Sequence, residues 1–384
     1  MRIWHVIDAS GPQATATTLE LLNTSRGRLG RIDERLIMLG GSPLRRAARQ
    51  AGIHDSTMLG VPFGSAPWGF FAARRRFGHL PRPDILHCWS LGAAALAAMQ
   101  FRRTPKVITI TVPPSTKAVR WLRAITGGTA GRTVLLPISA TIHRQLLSAG
   151  LPQPAVHVLR PGLDMSRVAH GSRASLREHW SVPPDAKVVA LVADPVDGAD
   201  VMAGILAVGL ADEACGGPLS LLAHPMARHS RRAARHMERL GKSYRLILDQ
   251  RAAQPWLVMP GCDVALAQGT GAGGLSLLWA MCANVPIVAE ATIAVGEIVE
   301  DRHSALLARP GQQTRLAHRI CQICHDQHLS WRLRDTARHE AYSFFSRQRY
   351  CQSIKTVYEQ MVSGQPVAVP PLEATGGLRF AGRA

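Results

Sequence analysis

Residues 260–311 read PGCDVALAQGTGAGGLSLLWAMCANVPIVAEATIAVGEIVEDRHSALLARPG. The run 263–267 predicts a strand that enters the glycine-rich loop GTGAGG (269–274), and 275–282 predicts the helix that follows. Glycines free backbone N–H groups to face a ligand, and the positive helix end lies behind them, so such a loop suits a diphosphate. Asn284 stands where the helix ends, and Asn tolerates the left-handed conformation common there. Pro286 opens the next strand, 286–289. From its residues alone, the loop admits three readings. Gly269, Gly271 and Gly274 match the dinucleotide fingerprint G-x-G-x-x-G, and Glu290 falls 21 residues after Gly269, where a ribose-binding acid would. A nucleotide-sugar loop is the second reading. A tight strand-to-helix turn with no ligand is the third.

The same alternation extends outward from this stretch. Upstream, strands are predicted at 2–8, 35–39, 84–88, 106–111 and 133–138, with helices at 15–23, 43–51 and 91–101. Ser139 is placed to cap a helix over 141–149. A second series begins after Pro183 and Pro184, with strands at 187–192, 219–223 and 244–248 and a helix at 230–240. Helices at 314–325, 330–345 and 348–362 close the chain, and the Pro/Gly-rich end beyond Gly364 predicts a disordered tail. Strands alternating with helices give mostly parallel sheets. Two successive doubly wound domains imply a cleft between them, where a ligand is expected.

Composition narrows the function classes. Hydrophobic residues make up 46% of the 384 and charged residues 18%, which excludes a largely disordered chain. No apolar run approaches the roughly 18 residues of a membrane span. Asp8 breaks the N-terminal apolar run too early for a signal peptide, which predicts a cytoplasmic protein. The net charge is +19, and only five of the 45 basic residues are Lys. Such an Arg surplus suits an anionic partner: a nucleotide diphosphate, acidic lipid headgroups or nucleic acid. No RNA- or DNA-binding motif accompanies the charge, so nucleic acid is not expected. Seven cysteines without an export signal are expected to be reduced and mostly buried.

Further motifs carry a resemblance. Around the loop stand CDV (262–264), GAGG (271–274), LWAMC (278–282), NVPIV (284–288), EIV (297–299), Asp301 and ALLARPG (305–311). Upstream stand DILH (84–87), PISA (137–140), GLP (150–152) and VLRPGLD (158–164); downstream, FFS (344–346) and YE (358–359). Over residues 1–362 the chain resembles the group 1 glycosyltransferases (family 4) with the GT-B fold. The resemblance implies an α/β protein of two Rossmann-like doubly wound domains facing a cleft. They would span 1–165 on the acceptor side and 166–345 on the nucleotide-sugar side, with a closing helix at 346–363 packed back on the first and a tail at 364–384. It implies sugar transfer from a nucleotide-sugar to a glycan or lipid-linked acceptor, without metal or other cofactor. Its donor-site positions fall on Thr270, Gly271, Ala272, Gly273, Gly274, Leu275 and Glu297, the last expected to begin a helix. Many relatives of this type work on lipid-linked acceptors. That makes two basic stretches candidates for peripheral membrane contact: the helix around Arg228–Arg239 and Arg74 to Arg76 beside Phe70 and Phe71. Both also read as plain solvated faces.

The chemistry-bearing positions depart from the family pattern. Its pair of carboxylates, eight positions apart, falls on Gly271 and Trp279. Its catalytic His falls near Thr111, and its phosphate-binding Arg and Lys near Asp194 and Gly198. A carboxylate that accepts two hydroxyl hydrogen bonds is not replaced by Gly or Trp. The departures imply either an altered donor site or a catalytically silent relative that binds a nucleotide, a sugar or a partner. Two replacements are candidates: His87 as general base and Arg160 as a charge contact. His87 reads equally as a satisfied structural histidine. CQICH (321–325) matches the c-type haem pattern but lies within an amphipathic helix, where buried cysteines are ordinary.

Overall fold

Strands that are apolar on both faces need helices on both faces. The computed structural model describes residues 1–369 except 9–11, 31, 55, 59–66, 129–131, 169–172, 194–197, 243–244 and 270–273. The described chain divides into two compact units, Met1–Leu163 together with the described residues from Arg347 onward, and Asp164–Ser346.

The first unit holds strands β1 (Arg2–Asp8), β2 (Asp33–Leu39), β3 (Thr57–Met58), β4 (Ile85–Cys88), β5 (Lys106–Ile110) and β6 (Thr133–Pro137). They form one parallel sheet in the order β3-β2-β1-β4-β5-β6. Alternate residues of β1 feed opposite cores, as the two-residue period requires. Trp4 and Val6 join Phe77, Phe101 and Leu122, whereas Ile3 and Ile7 join Leu21, Leu22, Ile354 and Tyr358. The last helix, Arg347–Ser363, therefore belongs to the first unit and buries Tyr350, Ile354, Val357 and Tyr358 there. Beyond it, Val367 and Val369 still pack on this core, and Ala368 N–H donates to Gln360 at 2.9 Å. The first residues of the predicted tail, up to Val369, are thus packed on this unit, and residues 370–384 lie outside the described ones.

The second unit holds β7 (Lys187–Val192), β8 (Leu219–Ala223), β9 (Leu246–Leu248), β10 (Val264–Ala267), β11 (Ile287–Glu290) and β12 (Leu306–Ala308). Its sheet is also parallel, in the order β12-β11-β10-β7-β8-β9. Counted from its own first strand this is again 3-2-1-4-5-6, the doubly wound Rossmann order. Helices Val201–Cys215 and Gln313–His325 pack on one face.

A disulfide joins Cys215 and Cys321 in these two helices, with Cα atoms 5.5 Å apart. This corrects the expectation of seven reduced cysteines. The sequence separation of 106 hid a proximity that the fold creates. Cys321 is thereby committed to Cys215, so CQICH is packing rather than a haem attachment. Cys88, Cys262 and Cys282 are free and buried.

Candidate functional site

Parallel strands place all their carboxyl ends on one edge, and ligands of such sheets bind where the strand order reverses. In the second unit that point lies between β7 and β10, and the loops after these strands are stitched together there. Ser276 Oγ donates to the Ala193 carbonyl at 2.9 Å, and Gln268 Nε2 to that of Asp200 at 3.5 Å. Gly269 adopts φ +77°, and a Cβ there would stand 3.3 Å from the Gly198 carbonyl oxygen. Only glycine takes that conformation without strain while leaving the neighbouring backbone in place. Gln268 Oε1 is buried and has no hydrogen-bond partner among the described residues.

Helix Leu275–Cys282 starts at Gly274, which offers no side-chain cap to the first-turn N–H groups. All eight helical residues are buried, so the helix end is rigidly placed. The helix closes at Ala283, and Asn284 takes φ +57°, the left-handed exit that its sequence position predicts.

Glu290, at the end of β11, fixes the rest of this edge. Its Oε2 accepts from Gly269 N–H at 2.7 Å and its Oε1 from Gly311 N–H at 2.8 Å. The side chain is 5% exposed. One carboxylate thus ties the loop after β10 to the loop after β12. Both of its oxygens already serve backbone donors, so it is not placed as the ribose acid of a dinucleotide site.

Four of the donor-site positions, Thr270, Gly271, Ala272 and Gly273, lie outside the described residues, as does Asp194. Gly274 and Leu275 form the helix start described above. Glu297 is 2% exposed and follows the one-turn helix Ile293–Gly296 as its C-terminal cap. It therefore ends a helix rather than beginning one. Thr111 follows β5, half-buried, where the family's histidine is expected.

Trp279 is 1% exposed and packs against Trp256, with ring centroids 4.9 Å apart. The Arg167 guanidinium lies 4.0 Å from the Trp256 centroid and 5.9 Å from that of Trp279. The position of the second family carboxylate is thus filled by a buried aromatic pair. A cation that the sequence reading did not link to this site stands near the loop after β7. Arg228 N–H donates to the Ala199 carbonyl at 2.8 Å, and its side chain, largely exposed, reaches Asp200 at 3.8 Å. His229 Nδ1 lies 3.1 Å from the same carboxylate. Burial pulls the Asp200 pKa up, but His229 and the backbone N–H groups of Ala203 and Met202 outweigh it and hold it below the usual value. The sequence showed these residues only as part of a basic run. Their pairing with the loop after β7 depends on β8 lying beside β7.

The two proposed replacements both fall in the first unit. Arg160 is half-buried there, and its charge adds to the burial that lowers the Arg349 pKa. His87 is fully buried at the end of β4. Its Nδ1 meets the Tyr358 hydroxyl at 2.5 Å, and its Nε2 meets the Thr109 hydroxyl at 2.7 Å. Trp89 stacks on the ring at 4.1 Å. Both nitrogens are engaged and neither faces solvent, which is the arrangement of a structural histidine. Burial, and secondarily His5, lower its pKa well below the usual value.

This lowering has a pH signature. The folded state resists protonation that the unfolded chain accepts below about pH 6.5. The contribution of His87 is therefore complete above that pH and declines as pH falls, by up to about 1.4 kcal/mol per unit. Urea unfolding between about pH 8 and 5 should show this decline, and His87→Gln should flatten it; an unchanged slope would place the ring in contact with water.

Residues 231–340 match the family model described as Glycosyl transferases group 1. No curated protein matches the chain by sequence. Among solved structures, HepE of Anabaena, in complex with UDP and glucose, is similar at 19% identity and TM-score 0.72, covering 92% of this chain and 98% of its own. A glycosyltransferase of Rickettsia africae is similar at 12% identity and TM-score 0.74, covering 94% and 98%. Sucrose-phosphate synthase of Thermosynechococcus elongatus gives 13% identity and TM-score 0.68, covering 95% and 100%. Among the described residues, no helix is long and apolar enough to cross a membrane. Two doubly wound units and the likeness to these solved structures make this a chain of the GT-B fold, whose residues 231–340 match the group 1 glycosyltransferase model.

Proposed function

We propose that the chain binds a nucleotide-sugar at the start of helix Leu275–Cys282 and passes the sugar slowly to a glycan or lipid-linked acceptor. The observation that carries this reading is the Glu290 anchor, which holds Gly269 and Gly311 together at the switch-point edge. A rigidly placed helix start behind a glycine-rich loop suits a diphosphate. Arg228 adds positive charge beside the same loops. HepE, similar in fold, was solved with UDP and glucose. No metal or other cofactor is part of the proposal. The exposed Arg231, Arg232, Arg235 and Arg239 support docking on an anionic membrane surface that presents a lipid-linked acceptor.

A second reading, a relative that binds the donor but transfers nothing, is favoured by Trp279, buried where the family places a carboxylate. Turnover separates the two. With UDP-, GDP- and ADP-sugars, transfer should fall well below the ordinary range of about 1–10³ per second. Losing one positioned group commonly costs about 10²–10³ in rate, although losses within one catalytic unit are not additive. Binding with no turnover would select the silent relative. Turnover of ordinary size would show that a new set of residues has replaced the missing carboxylates. NADH binding with no nucleotide-sugar binding would overturn both readings.

A further inference from the structure

A second cleft lies at the opposite edge of the same sheet, near the amino ends of β7, β10 and β11. Its volume is about 630 Å³, within the usual range for small-molecule sites. Lys187 opens β7, Asp263 precedes β10 and Pro286 precedes β11, and all three line it. The glycine-rich loop leaves the far end of β10, four residues or about 13 Å away along the strand. This cleft is therefore separate from the site proposed above and does not depend on it.

Its lining is cationic and incompletely satisfied. Arg173, Lys187 and Arg334 line it together with one carboxylate, Asp263. That carboxylate already accepts from Arg173 at 2.5 Å, Arg177 at 3.2 Å and the Val188 N–H at 2.8 Å. Lys187 stands 4.0 Å from it. Arg334 Nε and Asn284 Oδ1 are buried and have no hydrogen-bond partner among the described residues. Buried polar atoms without partners are rare and ask for an explanation, and a ligand supplies one. At the rim, Trp331 is 54% exposed, although large aromatic rings are usually well buried.

We infer that this cleft binds a small anionic carbohydrate, a sugar bearing a carboxylate or a phosphate. Arg334, with Lys187, takes the acid group through charge-assisted hydrogen bonds. Asn284 Oδ1 accepts from a ring hydroxyl, with Gln327 and Ser330 beside it. The Trp331 indole covers the apolar face of the ring. A largely polar lining suits a hydroxyl-rich ring better than a nucleobase.

Titration calorimetry on the full chain tests this, with glucuronic acid and glucose 6-phosphate as probes, glucose as the uncharged control and UMP as the base-bearing one. At least one acidic sugar should bind, and glucose about tenfold or more weaker. Arg334→Gln, Lys187→Gln and Trp331→Ala should each weaken that binding about tenfold, whereas Gly273→Asp at the other edge should not. Lys187 and Trp331 are well exposed, so their variants report on binding even if Arg334→Gln folds poorly. No binding of either acidic sugar at millimolar concentration overturns the inference. Binding that the three variants leave unchanged, or tighter binding of UMP than of both sugars, also overturns it.

Discussion

Trp279→Glu is expected to destabilise the second unit by at least about 3–5 kcal/mol, the usual cost of emptying a buried tryptophan site. The glutamate cannot recover this loss. It would stand against Trp256 in a site where the native side chain is 1% exposed, and burying a carboxylate there is costly even with Arg167, now 5.9 Å from the Trp279 ring, offsetting part of the charge. In the family pattern this position carries a carboxylate. Here it belongs to the core, so putting a carboxylate back is expected to cost stability. Urea denaturation checks it, with Trp279→Phe as a milder control that keeps an aromatic ring. A Trp279→Glu protein as stable as the parent and tighter for nucleotide-sugars would show that the residue faces the ligand.

Glu290→Ala should cost about 3 kcal/mol or more, because two hydrogen bonds to a charged acceptor are lost and two backbone donors are left behind. Glu290→Gln keeps one acceptor oxygen but turns an NH₂ group toward the other N–H, so about half of the loss is expected. Nucleotide-sugar affinity should fall with stability in both variants, because the loop after β10 loses its anchor to the loop after β12. A dinucleotide role for Glu290 predicts the opposite split, weaker NADH binding with stability unchanged.

The fold was legible where its signals are local. Strand β10, the following helix and Asn284 each lie in a short stretch whose apolar run, glycines and helix-ending residue are read without long-range information. Helix Val201–Cys215 escaped because its residues are apolar nearly all round, which hides the 3.6-residue stripe. Strands β3 and β12, of two and three residues, are too short for periodicity to register. The candidate site was legible as a loop but not as a construction. The partners of Glu290 are backbone N–H groups of glycines, which leave no mark in side-chain patterns. His87 and Tyr358 are 271 residues apart, and only the return of the last helix brings them together. Trp279 could be seen as a departure from the family pattern, but not as half of an aromatic pair with Trp256.

The central claim is that a nucleotide-sugar binds at the start of helix Leu275–Cys282. The most direct test is titration calorimetry of the parent chain and Gly273→Asp with UDP-, GDP- and ADP-glucose. The substituted loop would set a negative side chain against the diphosphate at the helix start. The account predicts that the parent binds at least one of the three and that Gly273→Asp, still folded by circular dichroism, binds none. Equal affinity in the two proteins, or no binding by the parent, would contradict it.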